Sequence, residues 1–148
     1  MTSPGAEAVA AGGPVYLDTS AVAKLVRVET HSAALVAWLG AAGRARVVSS
    51  VLLEVELARA IRRSAPDRLG RVAAVIAGFD LVPLSEDVVR AAAGYTDPFL
   101  RSLDAVHLAS AALVAAATPG FGGLVAYDTR LLDAAIVLGL PVAAPGLR

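Results

Sequence analysis

Residues 15–28 read VYLDTSAVAKLVRV, and the change of rhythm inside them decides the fold. Val15-Tyr16-Leu17 is a short β-prone run, whereas from Ala21 the chain turns to alanine, leucine and valine at helical spacing. Asp18, Thr19 and Ser20 stand at the joint. The same arrangement returns near the other end, where Leu124-Val125-Ala126-Tyr127 is followed by Asp128-Thr129 and another helical stretch. A strand that passes straight into a helix, and does so repeatedly, is the building unit of a parallel sheet flanked by helices.

Working outward, short β-rich runs alternate with longer Ala/Leu/Val stretches along the whole chain. Strands are predicted over residues 15–17, 46–48, 81–82, 124–127 and 142–143. Helices are predicted over 21–28, 32–41, 51–63, 68–77, 86–93, 103–117 and 130–138, with Asp67 and Ser85 as caps. The expected architecture is α/β, three layers, with a central parallel sheet of about five strands between helices.

A chain of 148 residues is long enough for one hydrophobic core and short for two. Residues 14–148 are therefore expected to form a single domain behind a flexible tail, 1–13, which lacks the basic start and apolar core of a signal peptide. Apolar residues make up 57% and charged ones 18%, which excludes a disordered chain. The apolar segments, broken by Asp, Arg, Gly or Pro, are too short to span a membrane. With no cysteine, disulfides, thiolate zinc sites and cysteine nucleophiles are excluded, and a cytoplasmic location is expected. Net charge is zero, so a polyanion would have to be held by a local patch or by metal.

In parallel α/β sheets ligands bind beyond the carboxyl ends of the strands, which makes Asp18 and Asp128 the first acids to inspect. Asp104 occupies the first turn of an otherwise apolar helix, and Glu56 lies in another (Glu54-Val55-Glu56-Leu57-Ala58-Arg59-Ala60). Buried carboxylates are costly unless paired or bound to metal. Taken singly, each aspartate also suits a helix cap, and Glu56 suits a solvated charge paired with Arg59 or Arg63. Periodicity does not choose between Glu56 and Glu54, because Glu54 shares a face with Val51, Leu57, Ala58 and Ile61. A cluster of four carboxylates would suit Mg²⁺ or Mn²⁺, which take hard oxygen ligands, activate water and stabilise a leaving oxygen in phosphodiester hydrolysis.

Three motifs in order resemble the PIN-domain toxins of bacterial VapBC toxin-antitoxin modules. They are Val15-Tyr16-Leu17-Asp18-Thr19-Ser20-Ala21, then Arg101-Ser102-Leu103-Asp104-Ala105-Val106-His107-Leu108-Ala109, then Tyr127-Asp128-Thr129-Arg130-Leu131 with the closing Gly139-Leu140-Pro141-Val142 and Ala144-Pro145-Gly146. The likeness runs from Val15 to Gly146. In that family the second acid precedes Leu or Val, one further residue and Arg-Ala, a frame that Glu56-Leu57-Ala58-Arg59-Ala60 fits and Glu54 does not. The resemblance implies an Mg²⁺- or Mn²⁺-dependent endoribonuclease acting on tRNA or rRNA, with Asp18, Glu56, Asp104 and Asp128 as catalytic, metal-binding acids. It also implies inhibition by a cognate VapB-like antitoxin, a homodimer, and a heterotetramer or larger assembly with the antitoxin. The alternative is a non-catalytic PIN-fold module acting with an antitoxin in transcriptional autoregulation.

Other residues carry plainer readings. Thr19 and Thr129 neighbour the acids but suit helix starts; His107 is expected to be a packed core histidine and His31 a surface residue. Arg59, Arg62, Arg63, Arg68 and Arg71 could form a basic rim for RNA phosphates or a solvated helix face. Trp38, with Ala34, Leu35 and Leu39, suits core packing or a partner patch. Two other Asp-after-strand classes fail on sequence. A haloacid-dehalogenase-like phosphatase needs a second Asp where Ser20 stands, and a receiver needs a late lysine where the only one is Lys24.

Overall fold

The computed structural model describes residues 12–41 and 46–148. The tail expected over 1–13 lies outside the described residues apart from Gly12 and Gly13. Strands β1 (Val15–Leu17), β2 (Val47–Ser50), β3 (Phe79–Val82), β4 (Gly123–Val125) and β5 (Val142–Ala143) form one sheet in the order β3-β2-β1-β4-β5. Every pairing is parallel, with Val15 opposite both Val47 and Gly123. The helices between them are α1 (Thr19–Val26), α2 (Ser32–Ala41), α3 (Leu53–Ser64), α4 (Val72–Ala77), α5 (Glu86–Gly94), α6 (Ser102–Ala117) and α7 (Thr129–Val137). The three-layer α/β architecture with five parallel strands is as the sequence predicts.

Alternation along the strands builds the layers. Tyr16 and Leu124 point to one face, where Leu108 of α6, Val88 of α5 and Leu131, Leu132 and Ala135 of α7 close over them. Val15, Leu17 and Val125 point to the other, against Val22 of α1, Leu35 of α2, Leu53, Leu57 and Ile61 of α3 and Val72 of α4. Trp38 and Leu39 pack on this second core, in line with the core reading of that segment.

Two local expectations need correction. The helix predicted over 68–77 is split: residues Pro66–Arg71 form a 3-10 segment before α4 begins. Pro66 stands at the start, where its fixed φ and missing N–H suit a helix opening, and the cap position falls on Ala65. Asp67 is thus inside the first turn, 3.6 Å from Arg68, and caps nothing. His31 is not a plain surface residue: it has a left-handed backbone (φ 72°), and its ring stacks on Tyr127 at 5.7 Å between centroids.

Gly123 opens β4 with φ +130°, and a Cβ there would stand 2.9 Å from the Pro141 carbonyl oxygen. That oxygen accepts the Leu124 N–H at 2.9 Å, so it cannot retreat without breaking the β4–β5 ladder. Gly123→Ala is expected to destabilise the protein by about 2 kcal/mol. Urea unfolding would show this as a lowered midpoint; an unchanged midpoint would refute it.

Candidate active site

The strand order sets the site. From β1 the chain moves outward through β2 to β3, then crosses back to lay β4 on the opposite side of β1. The crevice between β1 and β4 is therefore the topological switch point, the place where open α/β sheets bind ligands. Asp18 follows β1 directly, and Asp128 follows β4 after Ala126 and Tyr127. The two strand ends are stitched together there: the Asp18 N–H donates to the Val125 carbonyl at 3.2 Å, and the Tyr127 N–H donates to Ser20 Oγ at 3.2 Å.

Asp18 is the most enclosed of the acids, at 4% exposure. It caps α1, with Oδ1 accepting from the Ala21 N–H at 3.1 Å and from Ser20 Oγ at 2.6 Å. Burial pushes its carboxyl up to about 6; nearby Asp104 adds to the rise, while His107 and the two hydrogen bonds oppose it. Asp18 is thus both the cap that local sequence suggests and a buried acid in need of a counter-charge.

Glu56 reaches the same end of the sheet from α3. Its Oε1 lies 2.7 Å from His107 Nε2 and accepts from Thr19 Oγ1 at 2.9 Å. His107 is buried in α6, and its Nδ1 lies 2.7 Å from the Tyr16 hydroxyl. Burial drives the Tyr16 phenol up, so that hydroxyl donates. The imidazole then accepts at Nδ1 and donates from Nε2 to Glu56, a tautomer assigned from this network. Burial alone would raise the Glu56 carboxyl, but His107 and Thr19 outweigh it and hold the group below the usual range. The other reading of Glu56, a solvated charge paired with Arg59 or Arg63, is not what the fold produces. Glu54 is exposed.

Asp104 lies in the first turn of α6 and Asp128 caps α7, accepting from the Arg130 N–H at 2.9 Å and the Leu131 N–H at 3.4 Å. One guanidinium joins them: Arg101 Nε is 3.4 Å from Asp104 Oδ2, and its Nη2 is 3.1 Å from Asp128 Oδ2. Burial, and then Asp128, raises the Asp104 carboxyl against the pull of Arg101. Arg101 opens the second motif, whose sequence assigns it no role. Its spacing from Asp104 on the α6 start was legible as an i,i+3 pair; its reach to Asp128 was not.

Asp18, Asp104 and His107 are therefore mutually within electrostatic reach, Asp128 adjoins Asp104, and Glu56 joins through His107. Thr19 touches both Glu56 and His107, whereas Thr129 is an exposed first residue of α7. Arg59, Arg62, Arg63 and Arg71 are exposed and Arg68 is partly so. The four acids offer only hard carboxylate oxygens, and the raised Asp18 and Asp104 are anions that a cation would relieve, so the donor set fits a hard divalent ion. As they stand, no three acidic or histidine side chains among the described residues are close enough to hold one. Glu56 is drawn to His107, and Asp104 and Asp128 to Arg101, so binding an ion requires side-chain rotation.

A model of the PIN domain matches residues 15–137. The chain belongs to the PIN-domain family. Its PIN domain is similar to two Mycobacterium tuberculosis proteins, Ribonuclease VapC35 of strain H37Rv and Ribonuclease VapC47 of strain CDC 1551. Identity to the first is 46% over 132 residues, covering 89% of this chain and 97% of the relative. Identity to the second is 38% over 135 residues, with the same coverage. Among solved structures, the M. tuberculosis toxin VapC20, described as cleaving the sarcin-ricin loop, superposes with a TM-score of 0.64 over 81% of this PIN chain and 94% of its own, at 16% identity. That likeness is one of fold. The VapC-type assignment made from the three motifs is borne out by the relatives.

Proposed function

We propose that this PIN domain, over residues 14–148, is the toxin of a type II toxin-antitoxin module, an endoribonuclease that depends on Mg²⁺ or Mn²⁺. The observation that carries the reading is that Asp18 and Asp128 follow the two strands of the β1/β4 switch point and Asp104 lies within electrostatic reach of both, with burial raising Asp18 and Asp104. The similarity to two ribonucleases over nearly the whole chain supports the same activity.

Asp18, Asp104 and Asp128 would hold the ion, and Glu56 would complete the set. A bound divalent cation would supply the positive charge that the neutral chain lacks, polarise a water and stabilise the leaving oxygen. The chain's own contribution is position. Ser20 and the α1 N-terminus fix Asp18, while His107 and Thr19 hold Glu56 by Oε1 and keep its carboxyl ionised. The exposed Arg59, Arg62, Arg63 and Arg71 would be available to RNA phosphates. By the family resemblance, tRNA or rRNA is the substrate, a VapB-like antitoxin is the inhibitor, and the toxin works in the cytoplasm as a homodimer that forms a heterotetramer or larger complex with the antitoxin. Among the described residues no helix is long and apolar enough to cross a membrane.

The test is incubation of purified protein with total RNA or a tRNA pool and Mn²⁺ or Mg²⁺. Cleavage is expected, abolished by chelator and by Asp104→Asn. Cleavage that survives chelation would overturn the metal-dependent reading, and no cleavage across a broad RNA panel would overturn the catalytic one.

A further inference from the structure

Arg101 stands outside the machinery just described, yet its guanidinium is the one cation bonded to two of the acids among the described residues. It precedes α6 at the cap position with an extended backbone (φ −72°, ψ 156°) and makes no side-chain cap bond. Its side chain turns instead across the mouth of the site, donating to Asp104 of α6 through Nε and to the α7 cap Asp128 through Nη2. The two acids come from different helices and repel one another, and the guanidinium between them offsets part of that repulsion.

The exposures are unequal, and this shows how the contact works. The Arg101 side chain is 66% exposed, whereas those of Asp104 and Asp128 are 19% and 24% exposed. A solvated guanidinium pairs weakly and can swing into water at little cost; the acids cannot follow it. Moreover, both bonds end on Oδ2 atoms, leaving Asp128 Oδ1 to cap α7. At Asp128 the oxygen that Arg101 occupies is the one free of helix capping, and so the one available to an ion.

We infer that Arg101 is a built-in, displaceable counter-cation: it occupies Asp104 and Asp128 when no divalent ion is bound and competes with that ion for their Oδ2 atoms. The inference rests on the metal-dependent reading above. It makes Arg101 a positioning residue that offsets the acids' repulsion before loading and sets the ion concentration at which the site fills. A doubly charged ion displaces it because two units of charge at the shared oxygens outweigh one that is largely screened by water.

The experiment is calorimetric titration of full-length protein with Mn²⁺ alone, comparing wild type, Arg101→Gln, Arg101→Lys and Asp104→Asn, with far-UV circular dichroism to establish folding. Arg101→Gln is expected to bind Mn²⁺ about fivefold more tightly than wild type, because a competing pair of exposed ion pairs has been removed. Arg101→Lys, a point charge that cannot fork across both acids, is expected to fall between them. A merely structural arginine would give weaker or unchanged binding in both variants, and that result overturns the inference while leaving the metal reading intact so long as wild type binds and Asp104→Asn does not. If none of the four binds Mn²⁺, the metal reading and the inference fall together. If Arg101→Gln does not fold, tighter binding by Arg101→Lys still supports the competition and equal or weaker binding still refutes it.

Discussion

Replacing Asp18 with asparagine is expected to lower RNA cleavage by more than about a hundredfold and, in the same protein, to raise the stability of the metal-free fold at neutral pH. The two effects have one cause. Asp18 is buried, and its carboxyl sits at about 6 rather than at its usual 3.8. A carboxyl raised by folding binds its proton more tightly in the folded state. Its favourable contribution is complete below the unfolded value and disappears as pH climbs through the folded one. Above about pH 6 the fold carries a buried charge, at a cost on the order of 3 kcal/mol.

Asparagine removes that charge while keeping an oxygen for Ser20 and the Ala21 N–H, and it caps helices as well as aspartate does. With chelator at pH 7.5, Asp18→Asn should therefore melt about 5–10 °C above wild type, and the gap should shrink toward zero near pH 4. A variant less stable than wild type at pH 7.5 would show that the Asp18 charge is stabilising in this fold and would overturn the account. Stability held back at an acidic site is the expected companion of a group built to meet a cation.

The second large effect belongs to His107. Its replacement by alanine is expected to cost about 3 kcal/mol of stability, from a buried cavity and from polar partners left behind. The Tyr16 hydroxyl loses an acceptor and Glu56 a donor. Glu56 would also lose the bond that keeps its carboxyl low, and cleavage should fall about 10- to 100-fold, as when a residue orienting a metal ligand is removed. Chemical denaturation and RNA cleavage measured on the same preparation would check both. Full activity in a destabilised His107→Ala would separate packing from positioning and remove Glu56 orientation from the account. The expectation of a packed histidine was right about burial, at 1% exposure, and silent about the chain of hydrogen bonds that burial encloses.

Much of the site was legible because its parts are local. Asp18 and Asp128 lie where a strand gives way to a helix, and that change is written within a few neighbouring residues. Asp104 is conspicuous because an apolar helix surrounds it. Glu56 was different. On a wheel of about 100° per residue, Glu54 lies nearer than Glu56 to the buried stripe of Leu53, Leu57 and Ile61, yet it is Glu54 that faces water. The partner that turns Glu56 inward is His107, on another helix and 51 residues away.

The sequence by itself determined the α/β class, the alternation of elements, the absence of cysteine chemistry and three of the four acids at strand or helix starts, since each depends on propensity and polarity read over adjoining residues. Only the tertiary structure decided the strand order that puts β4 beside β1, and hence Asp128 near Asp18 and Asp104. Periodicity left Glu56 and Glu54 equal and only the family resemblance favoured Glu56; the tertiary structure brought Glu56 to Thr19 and His107, and carried Arg101 to Asp128, 27 residues on. The physical reason is common to all three: these contacts are made by side chains from separate elements, and their energies depend on burial and proximity that no local pattern encodes.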